Sequence, residues 1–146
     1  MTRINSAINV KYLTDEHLIA EHREIKRLST QLLKSNKNGL LEKIPSKFCL
    51  GTGHVLFFLN KFKFTHDRYL KLHEECINRG FNVNNYSNNW LNIEKPFYET
   101  YKPTKEEKKL LLNRISERII GSKKQYFHYR GEKIKKEVAI ELLMKS

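Results

Sequence analysis

The run from Thr14 to Lys34, TDEHLIAEHREIKRLSTQLLK, constrains this chain more than any other stretch. Thr14 is a good N-cap, and Asp15 and Glu16 suit the positive end of a helix macrodipole. The cluster Ser35-Asn36-Lys37-Asn38-Gly39 supplies the stop. The spacing therefore predicts one helix over 15–34. On a wheel of 100° per residue, Leu18, Ile25, Leu28, Leu32 and Leu33 form an apolar stripe. Glu16, Arg23, Arg27 and Lys34 fall opposite, and His17 and Glu24, at i and i+7, follow one border between the faces. Glu21 and His22 fall inside the apolar side. A buried Glu is rare unless paired, so Glu21 is expected to accept hydrogen bonds from a neighbouring segment.

Two further helices are expected. Residues 65–79 carry Tyr69, Leu72, Cys76 and Ile77 inward, with Gly80 at C′ and Phe81 at C″ of a Schellman ending. The stretch TKEEKKLLLNRISERII starts at the cap Thr104, has Glu107 at the capping-box position, and ends at Gly121-Ser122. It turns Leu111, Ile115 and Ile119 inward and sets Arg114 and Arg118 four residues apart. Residues 6–13 read as extended or coil. PSKFCLGTGHVLFFLNKFKF reads as two short helical or irregular pieces joined at Gly51 and Gly53. Residues 82–103 form an Asn-rich loop held down by Trp90, Phe97 and two prolines. The last fifteen residues can form a short amphipathic helix. The fold class that follows is mainly α: a single compact domain with three main helices and long loops.

Charge narrows the partners. Lys and Arg number 28 against 16 acids, a net charge of +12. That imbalance predicts attraction to a polyanion, nucleic acid first and an anionic membrane surface second. No apolar run approaches the roughly 20 residues that a bilayer span needs, and the polar start MTRIN lacks a signal-peptide core. Cys49 and Cys76 are too few for a disulfide framework and read as reduced thiols, which fits a bacterial or phage-infected cytoplasm where DNA is also found. Six His occur without HExxH, and GTGH at 51–54 lacks the GK[ST] of a phosphate loop, so neither a metal nor a cofactor is expected.

Two residues carry candidate chemistry. A small residue at position 2 favours removal of Met1, which leaves the α-amine of Thr2 as the terminus. Such an amine has a pKa of about 7.7 to 8 against about 10.4 for Lys, so on the order of a tenth is neutral at pH 7. It can attack a carbonyl-like carbon without a buried Lys. Many chains begin this way with no chemistry attached. Glu24 can serve as a carboxylate beside a basic face; its plainer role is a surface partner for Arg27, worth roughly 0.2 to 0.5 kcal/mol. Arg3, Arg23, Arg27, Arg114 and Arg118 read as phosphate contacts or as a solvated face. The run Tyr126-Phe127-His128-Tyr129-Arg130 can stack on bases or pack the C-terminal end onto the core.

Four blocks, MTRIN, DEHLIAEHREIKR, LGTGHVLFFLNKFKF and ECINRGFNV, occur in an order that resembles the pyrimidine-dimer DNA glycosylase/AP lyase family over roughly residues 1–83. A weaker likeness runs over 104–131, which implies a family-like domain over 1–131 and leaves 132–146 as a C-terminal extension. The resemblance implies double-stranded DNA containing pyrimidine dimers or abasic sites as substrate, bent and with one nucleotide flipped out. It implies attack by the Thr2 amine on sugar C1′, an imine, and β-elimination at the abasic site. Glu24 would be the essential carboxylate, Arg23 and Arg27 would hold phosphates, and Arg3 would help at the active site. His17, Arg114 and Arg118 would complete the pocket and DNA surface. The chain departs from the family pattern at His22, where it has Tyr, at Lys26, where it has Pro, and in the aromatic run 126–131. A monomer suffices for this chemistry. The alternatives are a glycosylase/lyase for another modified base and a non-catalytic basic DNA-binding protein.

Overall fold

A computed structural model describes residues 3–146. The chain is mainly α, as expected. Its first surprise is the N-terminal segment, which runs through the interior: Ile4 and Ile8 are fully buried. A short 3-10 turn, Val10–Tyr12, then delivers the chain to α1, Asp15–Glu24. Thr14 caps α1, its hydroxyl accepting from the His17 amide at 3.2 Å.

The single helix expected over 15–34 is two. After α1 the backbone makes a tight turn at Ile25 and Lys26 before α2, Arg27–Lys34, begins. The amides of Leu28 and Ser29 bond three residues back, to Ile25 and Lys26. Leu28 and Leu32 are buried, while Leu33, at the edge of the apolar stripe, is 76% exposed.

Helices α3, Leu40–Lys43, and α4, His54–Phe57, are single turns in the Gly- and Phe-rich stretch. Helix α5, Phe62–Asn78, starts three residues earlier than its spacing predicts. It ends as a Schellman motif, with Phe81 N–H bonded to Cys76 O at 3.0 Å and Gly80 N–H to Ile77 O at 2.9 Å. Tyr69, Leu72 and Cys76 point inward, but Ile77 is 55% exposed, because it lies one residue beyond the buried stripe. The long loop is pinned by buried Trp90 and Phe97 in two 3-10 turns. Helix α6, Lys105–Ile120, carries the complete Thr104–Glu107 capping box.

The aromatic run packs the C-terminal end onto the core through Phe127. Strands β1, Tyr126–Tyr129, and β2, Glu132–Lys135, form an antiparallel hairpin. Arg130 and Gly131, both with positive φ, make its two-residue turn. Phe127 is buried, whereas Tyr126 is exposed. Residues 132–146 thus contribute β2 and a last helix, α7, Lys136–Met144, which packs on α6 and buries Ala139 and Leu143. Among the described residues, no helix is long and apolar enough to cross a membrane.

Candidate active site

Three clamps fix the N-terminal segment. Ile4 N–H donates to His54 Nε2 at 2.9 Å, and His54 Nδ1 lies 2.9 Å from the Cys49 carbonyl. Because Nε2 accepts, the proton sits on Nδ1, and the ring is neutral; burial, first, lowers its pKa. Gly53 makes this possible: its φ of +93° starts α4, and a Cβ there would meet Cys49 Sγ at 3.2 Å. Asn5 Nδ2 donates to Glu21 Oε1 at 2.9 Å. Glu21 in turn accepts from Arg68 of α5, at 2.8 Å from Nε and 3.0 Å from Nη2, and Arg68 Nη1 reaches Ile8 O. The neighbour expected for Glu21 is therefore α5 together with the N-terminal segment.

These clamps hold residues 3 and 5 against α1, where a cleft of about 120 Å³ opens. From α1 it takes His17, Ala20, Glu21 and Glu24, a single stripe at i, i+3, i+4 and i+7. From α6 it takes Ile115 and Arg118, one turn apart, and Arg3 and Asn5 complete it. Four of the residues read from the sequence, Arg3, His17, Glu24 and Arg118, thus share one cleft. Thr2 lies outside the described residues.

Two arginines, Arg3 and Arg118, face two carboxylates in the cleft, and of these Glu21 is already paired with Arg68. Arg3 is buried, and its three guanidinium nitrogens have no hydrogen-bond partner among the described residues. Burial, then the charges of Arg118 and Arg114, push its pKa down to about 10. His17 is held by Thr14 Oγ1 at 2.6 Å and stacks on Phe127 with ring centroids 5.8 Å apart. Burial is also the first cause of its lowered pKa, with Lys124 and Arg118 adding repulsion. Glu24 has a side chain only 17% exposed, with Arg27 Nη1 3.6 Å away on its outer side.

The remaining arginines do not line the cleft. Arg23 lines a neighbouring hollow of about 160 Å³ with His22, Asn82, Asn84 and Tyr86. Arg114 sits one turn before Arg118, 3.9 Å from Glu117. A larger polar groove, about 560 Å³, lies between residues 6–11 and α5, and none of the residues singled out from the sequence lines it. Among the described residues no three His, Cys, Asp or Glu gather as a metal site. The positioning roles of Asn5 and Arg68 were beyond sequence reading, apart from the requirement that Glu21 find a partner, whereas His54 in GTGH reads from the sequence as a hydrogen-bonded structural residue, as it is.

The chain matches the sequence profile of pyrimidine dimer DNA glycosylases over residues 1–89. It belongs to that family. The matched region holds the buried N-terminal segment, its three clamps and all of α1. DNA is accordingly the substrate of this pyrimidine dimer DNA glycosylase, and the chain's net charge of +12 suits a polyanion. The second wall, Ile115 and Arg118 of α6, lies beyond the matched residues.

Proposed function

We propose that this glycosylase excises the 5′ base of a cyclobutane pyrimidine dimer through its terminal amine and then cuts the abasic strand. The neutral α-amine of Thr2 attacks sugar C1′. The C1′–N glycosidic bond breaks, and the base leaves with the electron pair and takes up a proton. Opening of the C1′–O4′ bond gives an iminium between the amine nitrogen and C1′. Loss of a C2′ proton then expels the phosphate at C3′, and water releases the enzyme from the sugar. Abasic DNA enters the same sequence at the iminium step.

The observation that carries this reading is the convergence of residue 3 and Glu24 on one cleft. In it Glu24 is the carboxylate that stabilises the cationic sugar and moves protons at O4′ and C2′. The buried guanidinium of Arg3, next in sequence to the nucleophile, opposes protonation of the amine and enlarges its reactive fraction. Arg118 and His17 shape the pocket, and Arg23, Arg27 and Arg114 hold phosphates around it. A monomer contains every group this scheme uses.

Borohydride trapping tests it. Protein beginning at Thr2 is expected to form a covalent adduct with abasic and with irradiated duplex. Protein retaining Met1, and Glu24→Gln, are expected to lose it. Absence of any adduct from the trimmed chain overturns the imine. Nicking of duplexes bearing other modified bases, with irradiated DNA left intact, would instead reassign the lesion.

A further inference from the structure

The turn at Ile25 and Lys26 falls between two parts of the proposed site. Arg23 and Glu24 end α1, and Arg27 begins α2. No helix-breaking residue lies there. Glu-Ile-Lys-Arg-Leu has no Gly or Pro, and sharp interruptions in helices need a specific cause.

Ser29 and, from 63 residues away, Asn89 both reach the turn. The Lys26 carbonyl accepts from Ser29 N–H at 3.3 Å and from Ser29 Oγ at 3.0 Å. A hydroxyl bonded this way competes with the regular helical ladder. Asn89 Nδ2 donates to Ser29 Oγ at 3.0 Å and approaches the same carbonyl at 3.5 Å. The Lys26 ammonium lies 3.9 Å from the centre of the Tyr86 ring, a cation–π contact. The segment bearing Tyr86 and Asn89 is itself fastened to α5, through Tyr86 N–H to Tyr69 Oη at 2.6 Å and Trp90 Nε1 to Thr65 Oγ1 at 3.1 Å.

We propose that the loop segment 84–90 is a clamp that holds the α1–α2 turn open and so sets the position of Arg27 relative to Arg23 and Glu24. Asn89 and Ser29 are its positioning residues; neither lines the catalytic cleft. The inference rests on the site reading above, because it gives the turn a role in aligning phosphate-binding and acidic groups. Without the clamp, 15–34 closes toward one helix, which its sequence already favours, and Arg27 is carried round with α2.

A proline at 26 offers a covalent substitute. Lys26 has φ −63°, the value proline imposes, and its N–H donates to no backbone carbonyl among the described residues. The test is a double-mutant cycle of Asn89→Ala and Lys26→Pro, read as KM and kcat for excision from irradiated duplex. Asn89→Ala is expected to raise KM about tenfold, with the larger share of the loss in KM, since a small misplacement of a positioning group is costly. In the Lys26→Pro background the same substitution is expected to change KM less than twofold, while the lowering of Tm that it causes persists. Amide exchange at residues 25–29 supplies a readout independent of the reaction. Asn89→Ala should slow exchange of the Lys26 amide as the helix closes, and Lys26→Pro should keep the flanking amides at their native rates.

Equal KM penalties in both backgrounds would reduce Asn89 to a stability residue and overturn the proposal. So would unchanged exchange in Asn89→Ala. Loss of dimer excision by the unaltered protein, with the exchange changes as expected, would instead remove the proposed reaction and leave the clamp standing.

Discussion

Arg68 and Glu21 meet as a two-point ion pair in the interior, Nε to Oε2 at 2.8 Å and Nη2 to Oε1 at 3.0 Å, with both side chains almost fully buried. Each charge is tolerable there only because of the other, and Asn5 and the Ile8 carbonyl complete the set. Removing one partner strands the other. Glu21→Ala is expected to cost about 3 to 5 kcal/mol in urea unfolding, and Glu21→Leu with Arg68→Met much less than the two single changes together. Strict additivity of the single changes would show that the pair does not act as a unit.

His54 ties the active-site segment to α4, so its substitution should separate stability from activity. His54→Phe keeps the ring among Phe48 and Phe58 but leaves the Ile4 N–H without its acceptor. A buried unpaired donor costs about 1 to 3 kcal/mol. Single-turnover excision is expected to fall at temperatures where the variant is still folded by circular dichroism, because residue 3 loses its anchor beside Glu24. A rate equal to that of the unaltered chain would show that the segment needs no such anchor.

Acid should weaken the fold in a defined window. His22 is buried, with its Nε2 3.0 Å from Nδ1 of His73 and with Tyr69 and Tyr86 packed around it. Burial first, then His73 and the Lys26 charge, push its pKa from 6.5 down to about 4. The unfolded chain takes up this proton near 6.5 and the native chain only near 4. Stability from this group is therefore complete above pH 6.5, declines as pH falls toward 4, and stops declining below that. Urea midpoints at pH 7, 5.5 and 4.5 should trace the decline, and His22→Phe should flatten it. His17 and His54, whose pKa values are also lowered by burial, act in the same sense, so flattening should be partial. A midpoint independent of pH across this window would rule out a neutral buried His22.

What the sequence revealed was local, and what it hid was long-range. The cap at Thr14, the capping box at Thr104 and the Schellman end at Gly80 each depend on residues within one turn, and all three form. The shared border of His17 and Glu24 was legible in the same way, because a helix face is fixed by 3.6-residue periodicity. The break at Lys26 was not, and the Asn89 amide that reaches it lies 63 residues away. Periodicity showed that Glu21 needed a partner but could not choose Arg68 from the 28 cations in the chain. The hairpin was hidden for a different reason. Tyr126 to Tyr129 are all aromatic, so inward Phe127 and outward Tyr126 give no alternation, and a turn with Arg130 at positive φ lacks the usual Asn-Gly signal.

The hairpin is an exposed basic ribbon, and salt dependence can measure whether DNA contacts it. Register pairs Tyr126 with Lys135 and His128 with Lys133, so these four share the outer face while Phe127 and Ile134 point inward. Lys133 Nζ lies 4.2 Å from the Tyr126 ring centre, an arrangement that leaves an aromatic and two cations on one exposed ribbon. The ribbon is held firmly to α1: Asp15 accepts from the turn amides of Arg130 and Gly131, and Glu16 from the amide and ring of His128. Each phosphate contacted contributes about 0.9 to the negative slope of log K against log salt for duplex DNA. Lys133→Ala with Lys135→Ala is therefore expected to make that slope shallower by about 1 to 2. The loss should be the same on damaged and undamaged duplex, because phosphate contacts carry no lesion information. An unchanged slope would place the hairpin outside the DNA footprint, and a loss confined to damaged duplex would make it a reader of the lesion instead.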